Sequence, residues 1–216
     1  MLCISLDTTN PHINLATEEL MLKHFDRDVF MLWRNDNTIV VGKHQNTLAE
    51  INYDYVKENN ITVARRLSGG GAVFHDLGNL NFTFIKKDDN PRQADFHRYL
   101  QPILEVLQEM GVNAKFEGRN DLTIDGKKFS GNARTVYQNR VLVHGTLLVS
   151  SKMEDLAKAL QTNPVKYQDK SVKSVKSRVT NIQEHLDKPM EVIEFRDHIM
   201  DQVMGMYSDS ESYELT

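Results

Sequence analysis

The sequence predicts an α/β fold of the α+β kind, organised as a single domain over residues 1–216, and three observations carry that reading. Short β-rich apolar runs bounded by turn residues recur along most of the chain, and helical periodicity is confined to a few segments with start and stop signals. With 216 residues and 40% hydrophobic content, the chain is long and apolar enough to bury a substantial core.

Leu2 to Leu6 reads as a short strand that ties the N-terminus into the fold. Asn10-Pro11 then offers an N-cap and a first-turn proline for a helix carrying Ile13, Ala16 and Leu20, flanked by Leu15 and Leu22. Val29 to Trp33 and Thr38 to Val41 are apolar and β-rich, and Asn35-Asp36-Asn37 between them has hairpin chemistry. Gly42 to Asn46 leaves the sheet as a polar loop. Ile61 to Leu67, Ala72 to His75 and Leu80 to Ile85 follow as three strands, which puts the triplet Gly69-Gly70-Gly71 inside a meander. From Asp95 the period becomes helical through Phe96, Leu100, Ile103, Leu107 and Met110, with Gly111 as the stop. Leu122 to Ile124 and Lys128-Phe129 flank the hairpin turn Asp125-Gly126, and Val141 to Val149 is a long apolar strand. Ser151 and Glu154 have capping-box spacing for a helix through Leu156, Ala159 and Leu160. A last amphipathic helix follows Pro189 with Val192, Phe195, Ile199, Val203 and Met206 on one face, ahead of an acidic, polar tail over 208–216.

Bulk properties exclude several classes. A net charge of −4 and a pI near 6.1 argue against a nucleic-acid binder, so any anion site must be local. Cys3 is the single cysteine, so no intramolecular disulfide forms and no cysteine-rich zinc set assembles, which suits a reducing cytosol. No basic leader followed by a long apolar run opens the chain and no apolar stretch approaches a bilayer span, so the expectation is a cytoplasmic protein with no membrane partner.

The densest chemistry is Arg65-Arg66-Leu67-Ser68-Gly69-Gly70-Gly71-Ala72-Val73-Phe74-His75-Asp76, where two arginines feed three glycines. Glycine lets a ligand approach bare backbone and guanidinium supplies fixed charge, so phosphate or carboxylate is the expected guest; the same triplet also makes an ordinary tight turn. Neither a Walker loop nor a dinucleotide fingerprint occurs. Gly118-Arg119-Asn120-Asp121 sets an amide beside a carboxylate, which suits magnesium with nucleotide phosphates or a plain turn. Lys127 and Lys128 are adjacent on a strand and must face opposite ways, so only one enters a pocket. His144 in its apolar strand reads as structural or pocket-lining, as does His75 beside the glycines, and Cys3 as a small apolar residue. The basic span 166–178, with Lys166, Lys170, Lys173, Lys176 and Arg178 against Asp169, is a solvated loop or one that orders around phosphate.

In order along the chain, Arg65 to Asn79, Gly118 to Leu122, Lys128 to Ala133, His144 to Leu148 and Ser174 to Asn181 resemble the motifs of the lipoate-protein ligases within the biotin/lipoate ligase group. That resemblance spans nearly the whole chain and implies a mixed, largely antiparallel sheet packed with helices. It implies an ATP-dependent ligase with lipoate as substrate and Mg²⁺ as helper, acting through lipoyl-AMP on a lysine of apo lipoyl domains of 2-oxoacid dehydrogenase E2 subunits or of the glycine-cleavage H protein. Lys128 is the implied catalytic lysine, electrostatic rather than nucleophilic, shared by adenylate and lipoate. Arg66, Gly71, Ala72, Val73, Phe74, Asn120, Lys176 and Arg178 fall to ATP and the adenylate, Gly70, Gly71, His75 and His144 to lipoate, and Asp121 to magnesium. The apolar strands around Trp33, Val73 and Leu147 are the implied walls of the dithiolane tunnel, with the side chains that face it left open by the sequence. Such ligases continue into a small accessory domain not found in 1–216, so the expectation is a fragment or a chain with a separate accessory partner. An octanoyl or lipoyl transferase of the same fold, and a non-catalytic module that binds lipoate or nucleotide, are the competing readings.

Overall fold

The computed structural model describes residues 1–160 and 178–215. Its strands are β1 (Leu2–Ser5), β2 (Val29–Trp33), β3 (Thr38–Val41), β4 (Thr62–Arg65), β5 (Val73–His75), β6 (Asn79–Lys87), β7 (Ala114–Glu117), β8 (Asp121–Ile124), β9 (Lys127–Tyr137), β10 (Arg140–Leu148) and β11 (Glu211–Ser212). The helices are α1 (Pro11–His24), α2 (Thr47–Glu50), α3 (Tyr53–Glu58), α4 (Phe96–Glu109), α5 (Met153–Ala159) and α6 (Val192–Gly205). Eight strands form one sheet in the order β11-β1-β2-β6-β10-β9-β8-β7, and β4-β3-β5 form a second. In the large sheet β1 runs parallel to β2 and β11 while the remaining pairs are antiparallel, so the expected mixed, largely antiparallel sheet is present.

Two helices that the periodicity located cleanly, α4 and α6, cover one face of the large sheet. Leu100, Ile103 and Leu107 of α4 and Phe195, Ile199 and Val203 of α6 pack with Phe82, Phe84, Val141 and Val143 in the main core. Asp95 caps α4 by accepting from the His97 amide, and Gly111 at φ +83° takes the left-handed turn that ends it. The Asp125-Gly126 turn has φ of +51° and +72°, as a tight β8–β9 hairpin requires.

Four expectations are corrected. The strands β2 and β3 do not form a hairpin: β2 is buried between β1 and β6, and the Asn-rich corner carries the chain into the other sheet. Asn35 there is fully buried, bonded to Asn14 and His75, so its amide serves as an internal strut. The glycine triplet does not sit in a meander either, because β4 and β5 flank β3 without pairing with each other, and β6 belongs to the large sheet. The loop thus passes over the end of β3, so close to Gly42 that a Cβ there would collide with the Gly70 carbonyl. On α1 the apolar stripe is not the buried one: Ile13 is 52% and Leu20 44% exposed, whereas Asn14, Thr17, Glu18 and Met21 are buried. Asn14 and Glu18 find buried hydrogen-bond partners on that face, and these outrank hydrophobicity there. Finally, the Ser151 hydroxyl caps nothing; it has no hydrogen-bond partner among the described residues, and the adjoining amide is held by Asn181 Oδ1 at 2.9 Å. The tail also adds β11, whose Glu211 and Ser212 pair with Leu2 and Cys3.

Candidate functional site

Between the glycine loop and the β8–β9 hairpin lies a cavity of about 520 Å³, floored by β10 and by Trp33. Among the described residues Arg66, Arg119, Lys128 and Arg134 line it against one carboxylate, Asp121, a lining that suits a polyanionic guest in a protein that is acidic overall.

The glycine-loop wall is a closed network. Arg66, 8% exposed, donates from Nη1 to Val40 O at 3.1 Å and from Nη2 to Gly69 O and Gly71 O at 2.8 and 2.6 Å. Its Nε donates to Ser68 Oγ at 3.0 Å, and burial lowers its pKa to about 10, so it stays charged at neutral pH. Ser68 Oγ lies 2.6 Å from His144 Nε2, and His144 Nδ1 lies 2.8 Å from Glu18 Oε1. The same carboxylate oxygen accepts from Thr83 Oγ1 at 2.6 Å, which in turn accepts from Trp33 Nε1 at 3.0 Å. The Glu18 carboxylate, an acceptor, draws the His144 Nδ1–H and the Thr83 hydroxyl proton onto one oxygen. Gly70 at φ +90° makes the turn that lets the loop close on Arg66; the positive φ falls there rather than at Gly71.

His75 sits beside this wall, 2% exposed, with Nδ1 accepting from Asn35 Nδ2 at 3.1 Å and Nε2 without a partner among the described residues. Burial, with Arg66 and His144 nearby, pushes its pKa down to about 3, so the ring is neutral. Its ring borders the cavity, while Nε2 itself is buried.

The facing wall is open. Lys128 Nζ pairs with Asp121 Oδ1 at 2.8 Å, with the two side chains 28% and 33% exposed. The hairpin carries a bulge: Thr123 opposes Lys128 and Leu122 opposes Ser130, leaving Phe129 as the extra residue, buried in the main core. That bulge turns Lys128 into the cavity while Lys127 stays exposed, so the opposite-face reading of the two lysines holds. Asn120 and Asn132 bind each other's backbone: Asn132 Nδ2 donates to Asn120 O at 2.9 Å, and Asn120 Nδ2 donates to Asn132 O. Behind the lysine, its amide donates to Arg178 O at 2.8 Å and its carbonyl accepts from Thr180 N at 3.0 Å, a parallel bridge to the segment after the basic span.

Of the residues singled out from sequence, Arg66, Gly70, Gly71, Ala72, Val73, His75, Asn120, Asp121, Lys128 and His144 all line this one cavity. Phe74 does not; strand alternation turns its ring into the core of the small sheet with Ile39 and Val41. Leu147 is likewise in the main core, whereas Trp33 and Val73 do face the cavity. Arg178 is exposed and outside the lining, and Lys166, Lys170, Lys173 and Lys176 lie outside the described residues. Glu18 and Arg134 escaped the sequence reading, while Asn132 and Thr146 fell inside the matching motifs without a role. Helical spacing gives Glu18 the look of a solvated charge, and only its buried partners reveal its place.

A family model described as the lipoyl protein ligase A/B catalytic domain matches residues 10–204. Lipoate–protein ligase 1 of Staphylococcus aureus strain Mu50 is 45% identical over 96% of the chain and 64% of its own length. The chain thus spans just under two thirds of that relative. Among solved structures, P. falciparum LipL1 in complex with lipoate superposes with a TM-score of 0.84 at 28% identity, covering 98% of this chain and 65% of that one. The lipoate protein ligase of Thermoplasma acidophilum, described as bi-partite and determined with its E2 lipoyl domain, gives 0.79 at 25% identity over 98% and 86%.

Proposed function

This chain belongs to the lipoyl protein ligase A/B catalytic-domain family, and we propose that it activates lipoate with ATP and transfers the lipoyl group to a lysine of an acceptor domain. The observation that carries this reading is the half-exposed Lys128 ammonium facing a glycine-loop backbone in a cation-rich cavity.

In the first step a lipoate carboxylate oxygen attacks the α-phosphorus and pyrophosphate leaves; in the second, the acceptor amine attacks the acyl carbonyl and AMP leaves. Charge develops on a phosphoryl oxygen and then on the acyl oxygen, and a protonated Lys128 near both stabilises each. The glycine loop, braced by Arg66, offers bare backbone to the acyl-adenylate. Asp121 fits Mg²⁺ arriving with the nucleotide, since that ion takes few protein oxygens and keeps phosphate and water; among the described residues no group of three His, Cys, Asp or Glu side chains forms a dedicated metal cage. Bound there, the ion would neutralise phosphate charge.

The acceptor we propose is an apo lipoyl domain of an E2 subunit, the kind of domain found with the T. acidophilum ligase, or H protein, and the setting the cytoplasm, where ATP and apo acceptors meet. No helix among the described residues is long and apolar enough to cross a membrane. A cysteine-dependent transferase has no candidate thiol: Cys3 is 2% exposed in β1, burial raises its pKa, and it does not line the cavity. Mass spectrometry of an apo lipoyl domain incubated with this protein, lipoate, ATP and magnesium should show one lipoyl adduct per domain. No adduct, or equal labelling without ATP, would reject the ligase reading; a non-catalytic binding module would release no pyrophosphate.

A further inference from the structure

We propose that Gly131 is a positioning residue for this chemistry, its missing side chain forming the saddle across which Lys128 reaches its working place. The proposal rests on the ligase reading for its consequence and on local geometry for its substance. A Cβ built on Gly131 would stand 3.0 Å from both Cε and Nζ of Lys128, so the end of the lysine lies directly over this α-carbon. Asp121, the residue opposite Gly131 in the β8–β9 ladder, then receives Nζ at 2.8 Å. The Gly131 amide donates to Thr146 Oγ1 at 3.2 Å, which pins the saddle to β10.

The backbone itself does not require glycine, because the φ of Gly131 lies outside the left-handed region that Gly70 occupies at +90°. Other tight glycines have further reasons to be glycine. At Gly78 a Cβ would meet the Ser150 carbonyl carbon at 2.5 Å, at Gly145 it would meet the Asn132 amide oxygen and the Phe82 ring at 2.7 Å, and at Gly70, where Arg66 Nη2 lies 3.0 Å away, the positive φ already demands glycine. At Gly131 the obstacle is the tip of a flexible chain. Optimal carbon contacts are roughly 3.5–4.0 Å, so an added methyl displaces the ammonium and leaves the fold in place. Gly131 therefore allows the geometry of Lys128 to be perturbed without removing its charge.

The test is a double-mutant cycle with Gly131→Ala, Gly131→Val and Lys128→Ala, read by lipoate-dependent ATP–pyrophosphate exchange, single-turnover transfer from preformed lipoyl-AMP, and thermal unfolding. Gly131→Ala should lower kcat/KM in both half-reactions by about 10-fold and Gly131→Val by about 100-fold, the scale of a misplacement near 1 Å. The Gly131→Ala midpoint should stay within about 2 °C of wild type, the low end of the shift that about 1 kcal/mol causes in a chain of this size. In the Lys128→Ala background neither change should alter the residual rate, since a residue acting through the lysine has nothing left to act on. Wild-type rates for Gly131→Ala, or the same fold-loss with and without Lys128, would overturn the proposal. Nitrogen-15 spectra of the lysine ammonium groups read the geometry without activity. Gly131→Ala should move the Lys128 signal and leave Lys127 in place, and an unmoved Lys128 signal defeats the saddle whatever the wild-type enzyme does. A wild-type protein inactive in both half-reactions whose Lys128 signal nonetheless moves would reject the ligase reading alone.

Discussion

Arg66 and Lys128 are cations on facing walls of one cavity, and their surroundings assign them opposite work. Arg66 is buried and spends its donors on three carbonyls and a hydroxyl of its own neighbourhood, so it builds the glycine loop. Lys128 has one carboxylate partner, and its end lies over a bare glycine in a half-exposed setting. A saturated guanidinium is scaffold; a single ion pair at a solvent-facing site is weakly held and exchanges readily for a ligand oxyanion. The closed wall should therefore govern stability and the open wall activity.

The largest effect expected is on the open wall. Lys128→Ala should lower lipoate-dependent pyrophosphate exchange and lipoyl transfer by roughly 10²–10³-fold, the range for losing one group aimed at developing charge. Its thermal midpoint should match wild type. A large activity loss accompanied by an equally large stability loss would erase the contrast between the walls.

Arg66→Ala breaks the comparison from the other side. It takes the guanidinium donor away from the carbonyls of Val40, Gly69 and Gly71 and from the Ser68 hydroxyl in a buried setting, so unfolding free energy should fall by about 3 kcal/mol. Arg66→Lys should not restore it, because one ammonium cannot reproduce a planar fork reaching three acceptors. Urea unfolding decides this directly; stability within about 0.5 kcal/mol of wild type, the range of ordinary surface substitutions, would mean that the loop holds itself without Arg66.

The closed wall also carries a pH signature. The folded-state pKa of His75, about 3, lies below the usual value of 6.5, so the unfolded chain binds a proton that the folded one refuses. The stabilisation is complete above pH 6.5 and is lost as pH falls toward 3, at a slope approaching about 1.4 kcal/mol per pH unit. His75→Gln removes that slope. Unfolding free energies of wild type and variant should therefore converge as pH drops from 7 toward 5, and parallel curves would show that His75 is protonated in the fold.

The two walls were not equally legible in the sequence. Lys128 was readable because strand alternation allows only one of two adjacent lysines to face inward, and the Asp125-Gly126 turn set the register. The glycine loop was recognisable by composition, but its place was misjudged. Consecutive strands suggested a meander, whereas pairing with β3 on both sides depends on contacts distant in sequence. Glu18 was invisible for a related reason: a helix glutamate ordinarily faces water, and its burial follows from Thr83 and His144 on strands far along the chain. Local rules find side chains that act alone and miss those that matter through partners.

The smallest effect sharpens the comparison most, because it uses the lysine next to the one proposed to act in the cavity. Lys127 is exposed, pairs with Ile124 across the hairpin, and is absent from the cavity lining. Lys127→Ala removes the same charge from the same strand, so any long-range contribution to steering ATP is lost almost equally at both positions. Stability should shift by no more than about 0.5 kcal/mol, and both half-reactions should stay within about twofold of wild type at physiological salt. Measured beside Lys128→Ala, the ratio of the two losses isolates what direction adds to charge: a ratio above about 100 assigns the effect to the ammonium placed in the cavity. Comparable losses would mean that the bulge at Phe129 does not aim Lys128 inward in solution, and the open wall would have to be rebuilt around a different cation.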